Sequence, residues 1–149
     1  IIYDNLVEEK EIGEKYNAQY VSREKLFKEA DIIISTCPLT EGTYHAINRE
    51  SIAMMKASAV VINPSRGGVV DTQALYEALK SGKIAGAGLD VYEEEPLHKS
   101  PLFELDNVVL TPHMGGLADR EIHNVAMQSA YHMVDLMKGQ STGTEVTGE

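Results

Sequence analysis

The 149-residue sequence lacks the features of several classes of protein. Its single cysteine, Cys37, excludes an internal disulfide, and there is no tryptophan. No run approaches the ~20 apolar residues that a membrane-spanning helix needs. Basic residues are scarce, since 13 Lys and Arg stand against 23 Asp and Glu, and the net charge of −10 repels nucleic acids and anionic lipid surfaces. We therefore expect a cytoplasmic protein without membrane or nucleic-acid partners.

The composition is otherwise that of a soluble globular domain, with 43% hydrophobic and 24% charged residues. The sequence begins at Ile1, inside an apolar segment, without an initiator methionine, a signal peptide or a polar leader. We therefore expect the chain to be a fragment of a longer protein.

Short apolar segments alternate with segments of helical periodicity. Ser22, Asn48 and Asp71 are each suited to cap a helix, and Gly82 is suited to end the helix that begins after Asp71. Nearly apolar strands that alternate with helices are typical of a parallel sheet covered on both faces, so the sequence predicts an α/β fold. The predicted strands are residues 1–3, 18–21, 31–35, 59–63, 85–89 and 107–111.

The C-terminal part of the chain has a different pattern. Residues 117–138 form the longest helical stretch, and residues 139–149, rich in Gly, Ser and Thr, predict a flexible tail. We interpret the methionines as residues that fill the core. The apolar residues expected on one face of the long helix are Ile122, Val125, Ala126, Met133 and Met137.

Polar segments follow three of the predicted strands, and the carboxyl ends of strands are where open α/β sheets bind ligands. These segments contribute Arg66, Glu95 and His113. A fixed cation can hold a carboxylate, an imidazole can donate a proton, and a carboxylate can keep that imidazole charged, so the set suits reduction of a 2-keto acid. The three segments are residues 63–68, 89–96 and 111–116.

Each of these residues also has a structural interpretation. Arg66 could pair with Asp71, Glu95 could be one more solvated acid among three, and His113 could be an ordinary loop histidine. For each of these residues considered alone, the structural interpretation is favoured over the functional one. The functional hypothesis depends on the three occurring together.

Four ordered motifs are Ser-Thr-Cys-Pro-Leu-Thr at 35–40, Asn-Pro-Ser-Arg-Gly-Gly-Val-Val-Asp at 63–71, Gly-Leu-Asp-Val-Tyr-Glu-Glu-Glu-Pro at 88–96 and Leu-Thr-Pro-His-Met-Gly-Gly at 110–116. Together they resemble the D-isomer-specific 2-hydroxyacid dehydrogenases. The resemblance covers residues 1–138 and implies a doubly wound, Rossmann-like parallel sheet that is truncated at its N-terminus. Residues 1–138 would then be a partial NAD-binding domain with a returning C-terminal helix.

The resemblance also implies catalytic roles. Arg66 would hold the carboxylate and carbonyl of the substrate. His113 would be the general acid in reduction and the general base in oxidation, and Glu95 would hydrogen-bond the imidazole and favour its charged form. Glu93 and Glu94 do not match that position, and we expect them to be solvated.

NAD is the cofactor that the resemblance implies. Asp90 would lie near the nicotinamide carboxamide, although a helix or turn cap is an alternative role. Asp4 ends the first strand, where an acid binds the adenosine ribose and repels a 2′-phosphate, so NAD is favoured over NADP; the alternative is a helix N-cap for the segment beginning near Asn5. The implied cofactor-binding residues are Asp4, Cys37, Pro38, Ser65, Arg66, Asp90, His113, Gly115 and Gly116.

No metal site is expected, because His45, His98, His113, His123 and His132 lack ligand spacing. A Gly-x-Gly-x-x-Gly loop is also absent from the sequence. In the doubly wound strand order 3-2-1-4-5-6, the strand before that loop would lie between residues 1–3 and 31–35. We therefore expect a sheet that is split at this place.

These observations predict the catalytic half of an NAD-dependent oxidoreductase that acts on a small 2-keto or D-2-hydroxy acid. We expect the chain by itself to be inactive and the full-length parent to be a homodimer. The alternatives are an NAD-sensing regulatory protein, similar to the corepressors that share this fold, and an inactive fragment.

Overall fold

The computed structural model describes residues 1–140, apart from the side chains of residues 119–121. The chain divides into two compact units, Ile1–His113 and Met114–Glu149. The first unit contains every predicted strand, within one or two residues of the predicted bounds. The strands are β1 Ile2–Tyr3, β2 Gln19–Tyr20, β3 Ile32–Ile34, β4 Val60–Asn63, β5 Gly86–Leu89 and β6 Val108–Leu110.

The strands form two parallel sheets, one with the order β1-β2 and one with the order β3-β4-β5-β6. The expected split is therefore present, since β1 and β3 are not paired. The edge strand β3 has its central Ile33 buried, whereas Ile32 is 61% and Ile34 57% exposed. The α/β fold class is confirmed, with strands that run parallel and helices between them.

The helices begin where the sequence predicts. Ser22 accepts a hydrogen bond from the Lys25 amide, Asn48 accepts one from Ser51, and Asp71 accepts one from Ala74. These caps satisfy amides that have no partner within the first helical turn. The helices of the first unit are α1 Lys10–Tyr16, α2 Arg23–Glu29, α3 Arg49–Met54 and α4 Thr72–Lys80.

The hydrophobic core lies between the four-stranded sheet and the helices. Val61 of β4, Leu75 of α4, Ile84 and Leu102 are fully buried in one cluster. Removing such side chains from water supplies the main stabilising free energy of a domain of this size. The packed core therefore holds β4, β5 and β6 in place and so fixes the positions at which the following loops begin.

The second unit contains the longest helix, α5 Asp119–Met137, as predicted. The interpretation of methionines as core residues is right for Met55, which is 3% exposed, but wrong for Met133 and Met137, which are 62% and 83% exposed. Of the predicted tail, residues 141–149 lie outside the described residues. In the part of the chain that is described, no helix is both long and apolar enough to cross a membrane.

Candidate functional site

The carboxyl ends of β4, β5 and β6 lie side by side, because Asn63 is in register with Leu89 and Leu89 with Leu110. The loops that follow these strands surround a cavity of about 470 Å³. The structure thus brings Arg66, Glu95 and His113 to one cavity, whereas their roles there stay predictions. The lining residues are Leu39, Tyr44, Arg66, Gly67, Gly68, Tyr92, Glu93, Glu95 and His113.

His113 and Glu95 form a close pair, with 2.7 Å between the ring Nδ1 and the carboxylate Oε2. The other oxygen, Oε1, accepts a hydrogen bond of 2.9 Å from the Tyr92 amide. The bond with His113 and the Tyr92 amide lower the pKa of the Glu95 carboxyl below its ordinary value, so Glu95 is ionised at neutral pH. Within the described chain, the ring Nε2 of His113 has no hydrogen-bond partner and is left for a ligand.

The backbone of His113 has a positive φ of 52°, which few residues other than glycine adopt. Its amide donates a hydrogen bond of 3.0 Å to the carbonyl of Thr111. This turn directs the imidazole back to the loop that carries Glu95. Backbone conformations of this kind are concentrated at functional sites.

Arg66 keeps its charge available. Its Nη1 donates a hydrogen bond of 2.7 Å to the carbonyl of Ser65, and the side chain is exposed. The structural interpretation of Arg66 as the partner of Asp71 is wrong, because Asp71 caps α4 and no carboxylate pairs with Arg66 among the described residues. The guanidinium can therefore bind an anionic ligand.

Asn63 organises the loop before Arg66, a role that the sequence analysis did not assign. This side chain is buried at 1% exposure. Its Oδ1 accepts hydrogen bonds from the Ser35 hydroxyl and the Ser65 amide, at 2.7 and 3.1 Å, and its Nδ2 donates one of 2.9 Å to the Arg66 carbonyl. In the sequence, this role is indicated by an asparagine that ends an apolar strand and directly precedes a proline.

Gly67 lies against the loop after β5. A Cβ atom at this position would come within 1.9 Å of the Tyr92 backbone carbonyl, a distance that no side chain can accommodate. The hydroxyl of Tyr92 in turn shares its one proton between the carbonyls of Thr111 and Leu89, at 2.8 and 3.2 Å. Burial, followed by the charge of Asp90, raises the pKa of Tyr92 above its ordinary value. Tyr92 therefore joins the three loops that carry the candidate catalytic residues.

A second histidine–glutamate pair includes Glu93, which lines the same cavity. The Nε2 of His45 is 2.7 Å from Oε1 of Glu93, and Oε2 of Glu93 accepts a hydrogen bond of 3.2 Å from the Thr72 amide. Burial raises the pKa of the Glu93 carboxyl, but the bonds with Thr72 and His45 outweigh burial and leave that pKa lowered. Glu93 is exposed, as expected, but both of its carboxylate oxygens are also bound to groups of the protein.

The remaining cofactor-side predictions fall on several loops. Cys37 is a partly buried free thiol after β3, and the carbonyl of Pro38 accepts a hydrogen bond of 2.6 Å from the Thr43 hydroxyl. Asp90 accepts a hydrogen bond from the Thr111 hydroxyl, a contact between the loops after β5 and β6. Their contacts with a cofactor stay predictions.

Gly115 and Gly116 lie in the second unit, at a turn where the Leu117 amide donates a hydrogen bond of 3.0 Å to the Met114 carbonyl. Their assignment to cofactor binding also stays a prediction. Among the described residues, no group of three or more His, Cys, Asp or Glu side chains could hold a metal ion.

Asp4 follows β1 and forms an ion pair that the sequence analysis did not predict. Its Oδ2 is 2.9 Å from Nε of Arg23, which lies at the start of α2. The alternative role of Asp4 as a helix cap is wrong, because α1 begins at Lys10 and Glu9 is its N-cap residue. The side chain of Asp4 is 22% exposed, so the carboxylate is still accessible.

Residues 1–115 match the family profile described as D-isomer specific 2-hydroxyacid dehydrogenase, NAD binding domain. The chain is 44% identical over 149 residues to the glyoxylate reductase of Pyrococcus horikoshii, covering 100% of this chain and 45% of that protein. It is 46% identical over 140 residues to the glyoxylate reductase of Thermococcus litoralis, covering 94% and 42%. The chain thus spans less than half the length of these relatives.

Solved structures of similar proteins agree. The D-lactate dehydrogenase of Aquifex aeolicus, complexed with NAD and lactic acid, superposes with a TM-score of 0.85 at 34% identity, over 93% of this chain and 46% of that one. The D-lactate dehydrogenase of Lactobacillus jensenii with NAD⁺ gives 0.88 at 30% identity, over 98% and 48%. The expectation of NAD as the cofactor is confirmed. The chain belongs to the D-isomer specific 2-hydroxyacid dehydrogenase family, within its NAD binding domain.

Proposed function

We propose that the protein containing this chain is an NAD-dependent oxidoreductase that transfers a hydride between NAD(H) and a small 2-keto or D-2-hydroxy acid. The observation that carries the proposal is the 2.7 Å pair of His113 and Glu95 at the cavity that Arg66 also lines. The relatives named glyoxylate reductase support a small 2-keto acid as the substrate.

Residues of this chain fit an adenine dinucleotide. At the carboxyl end of β1, Oδ1 of Asp4 has no hydrogen bond from any described residue, so it can accept one from a ribose hydroxyl. The nicotinamide, when bound, supplies or accepts the hydride. The other residues of the first unit that would hold this cofactor are Cys37, Pro38, Ser65, Arg66, Asp90 and His113.

Arg66 would bind the substrate. A planar guanidinium can donate two parallel hydrogen bonds to a carboxylate, which fixes the orientation of the acid as well as its position. Because no carboxylate of the described chain neutralises Arg66, its charge is available to the substrate. The same group can polarise the adjacent keto oxygen.

His113 would transfer the proton. In reduction the oxygen on C2 gains negative charge, and the imidazolium Nε2 donates a proton to it; in oxidation the neutral imidazole accepts that proton back. Glu95 is ionised and bound at Nδ1, so it stabilises the charged ring and fixes its orientation. This arrangement leaves one ring nitrogen for one reacting oxygen.

The test uses the full-length protein that contains this chain. NADH absorbance is followed with glyoxylate, hydroxypyruvate and pyruvate, and we expect turnover with at least one of them. His113→Asn should abolish it, whereas His98→Asn, at an exposed loop position outside the cavity, should not. Nucleotide binding without turnover on any 2-keto acid would contradict the enzymatic proposal and favour a regulatory role.

We also propose that the full-length protein is a cytoplasmic homodimer that does not bind nucleic acid. A single free thiol suits a reducing compartment, and the net charge of −10 disfavours a phosphate backbone. The apolar side chains exposed on α5, such as Val125 and Met133, support association between copies. Sedimentation velocity of the full-length protein measures the oligomeric state.

A further inference from the structure

The ion pair between Asp4 and Arg23 has a geometry that leaves both partners partly available. Nε of Arg23 binds Oδ2 of Asp4 at 2.9 Å, and Nη1 donates a hydrogen bond of 3.2 Å to the Gly42 carbonyl. Among the described residues, Nη2 of Arg23 and Oδ1 of Asp4 have no partner. The Arg23 side chain as a whole is 47% exposed.

The two contacts also hold the guanidinium in place. A side chain anchored through Nε and Nη1 has lost most of its rotational freedom before a ligand arrives, so a further hydrogen bond from Nη2 costs little entropy. The anchors come from Asp4, directly after β1, and from the loop that contains Gly42, while Arg23 itself is the first residue of α2. The position of Arg23 is therefore defined by three segments of the first unit.

The charge balance at this place differs from that of an isolated acid. A lone carboxylate repels the 2′-phosphate of NADP, which is why it selects NAD. Here the charge of Arg23 compensates that of Asp4, and the nearby Glu24 is paired with Lys28. Lys25 adds a further positive charge on α2, and no described residue pairs with it.

We propose that Arg23 is a specificity-determining residue that binds a 2′-phosphate, so that the protein accepts NADP(H) as well as NAD(H). Oδ1 of Asp4 serves the ribose hydroxyl of NAD(H), and Nη2 of Arg23 serves the phosphate of NADP(H). The inference rests on the proposed dinucleotide function. It goes beyond the expectation, based on Asp4 alone, that NAD is favoured over NADP.

The experiment measures binding rather than turnover. NADH and NADPH are titrated separately into the full-length protein by isothermal calorimetry, and both should bind. Arg23→Gln should weaken NADPH roughly 10-fold, the effect of losing one charge-assisted hydrogen bond to a phosphate, and should change NADH less than about 2-fold. Arg23→Lys retains the charge but not the anchored planar guanidinium, so its NADPH affinity should lie between those of the wild type and Arg23→Gln.

Arg49→Gln is the matched control, because Arg49 pairs with Glu77 on the surface and its loss changes the net charge by the same amount. It should alter neither affinity. A selective loss of NADPH affinity of about 5-fold or more in Arg23→Gln supports the proposal. A smaller difference between the two nucleotides, or wild-type protein that binds NADH without binding NADPH, overturns it and leaves the proposed function intact. If wild-type protein bound neither nucleotide, both would be wrong.

Discussion

The pairs His113–Glu95 and His45–Glu93 have the same separation, 2.7 Å, but differ in which ring nitrogen is bound and in what surrounds the ring. His113 is bound through Nδ1 and its side chain is 50% exposed. His45 is bound through Nε2, is 28% exposed, and stacks on Tyr44 with 4.0 Å between the ring centroids. The first pair can present a proton to a ligand, whereas the second pair connects loops. A short contact between histidine and glutamate does not by itself identify a catalytic acid.

The largest difference between the pairs should appear when each histidine is replaced. In the full-length protein, His113→Gln should lower kcat roughly 100-fold or more, because a general acid is lost. His45→Gln should lower kcat less than about 10-fold, because it removes only a contact between loops. Steady-state kinetics with the preferred 2-keto acid measures both, and equal losses would contradict the division of roles.

Replacing Arg66 tests whether the pair of His113 and Glu95 acts on a bound anion. Arg66→Lys keeps the charge but loses the planar fork, so KM for the keto acid should rise about 10-fold. The Kd for NADH should change little. A larger effect on NADH than on the keto acid would place Arg66 at the cofactor instead.

The two glutamates should differ in how they affect the pH profile. Glu95→Gln removes the carboxylate that is bound to Nδ1 of His113, so the pH above which reduction slows should move lower. Glu93→Gln should leave that pH limit in place. Initial rates of reduction measured across the pH range compare the two variants with wild type. An unmoved limit in Glu95→Gln would identify Glu95 as a surface carboxylate.

Glu93 should have its clearest effect on stability. Its lowered pKa means that its stabilising contribution is present above the ordinary pKa of a glutamate and is lost as the pH falls through the lowered value. Glu93→Gln should therefore cost about 1 kcal/mol at neutral pH, a modest value because the pair is partly exposed, and almost nothing in strong acid. Denaturant unfolding at the two pH values checks this; a cost independent of pH would contradict it.

Much of the framework could be predicted from local sequence. Apolar segments give the strands, and Ser22, Asn48 and Asp71 give the helix starts, because caps and periodicity involve residues a few positions apart. The split sheet also follows from the strand order. The convergence of Arg66 and His113 follows because parallel strands end at one edge.

The contacts that hold the site together could not be predicted in this way. His45 and Glu93 are 48 residues apart, and Ser35 and Asn63 are 28 apart. Such bonds depend on which loops meet in space, and no local pattern encodes that. The ion pair of Arg23 is unpredictable for the same reason, since Arg23 begins α2 and its partner Asp4 follows β1. The methionines of α5 were expected in the core but are exposed. Periodicity predicts that one face of a helix is apolar, but it does not predict whether other residues cover that face.

The contact of Gly67 with the Tyr92 backbone has a consequence for how this protein can vary over generations. Every single-nucleotide change of a glycine codon that alters the amino acid adds at least a Cβ atom. No such side chain can fit while the segments that contain Gly67 and Tyr92 are in contact. Position 67 should therefore be intolerant in a saturation library, even though the neighbouring Arg66 is exposed and sterically permissive. Drift in the loops on either side can proceed only through sequences that keep this one position unchanged.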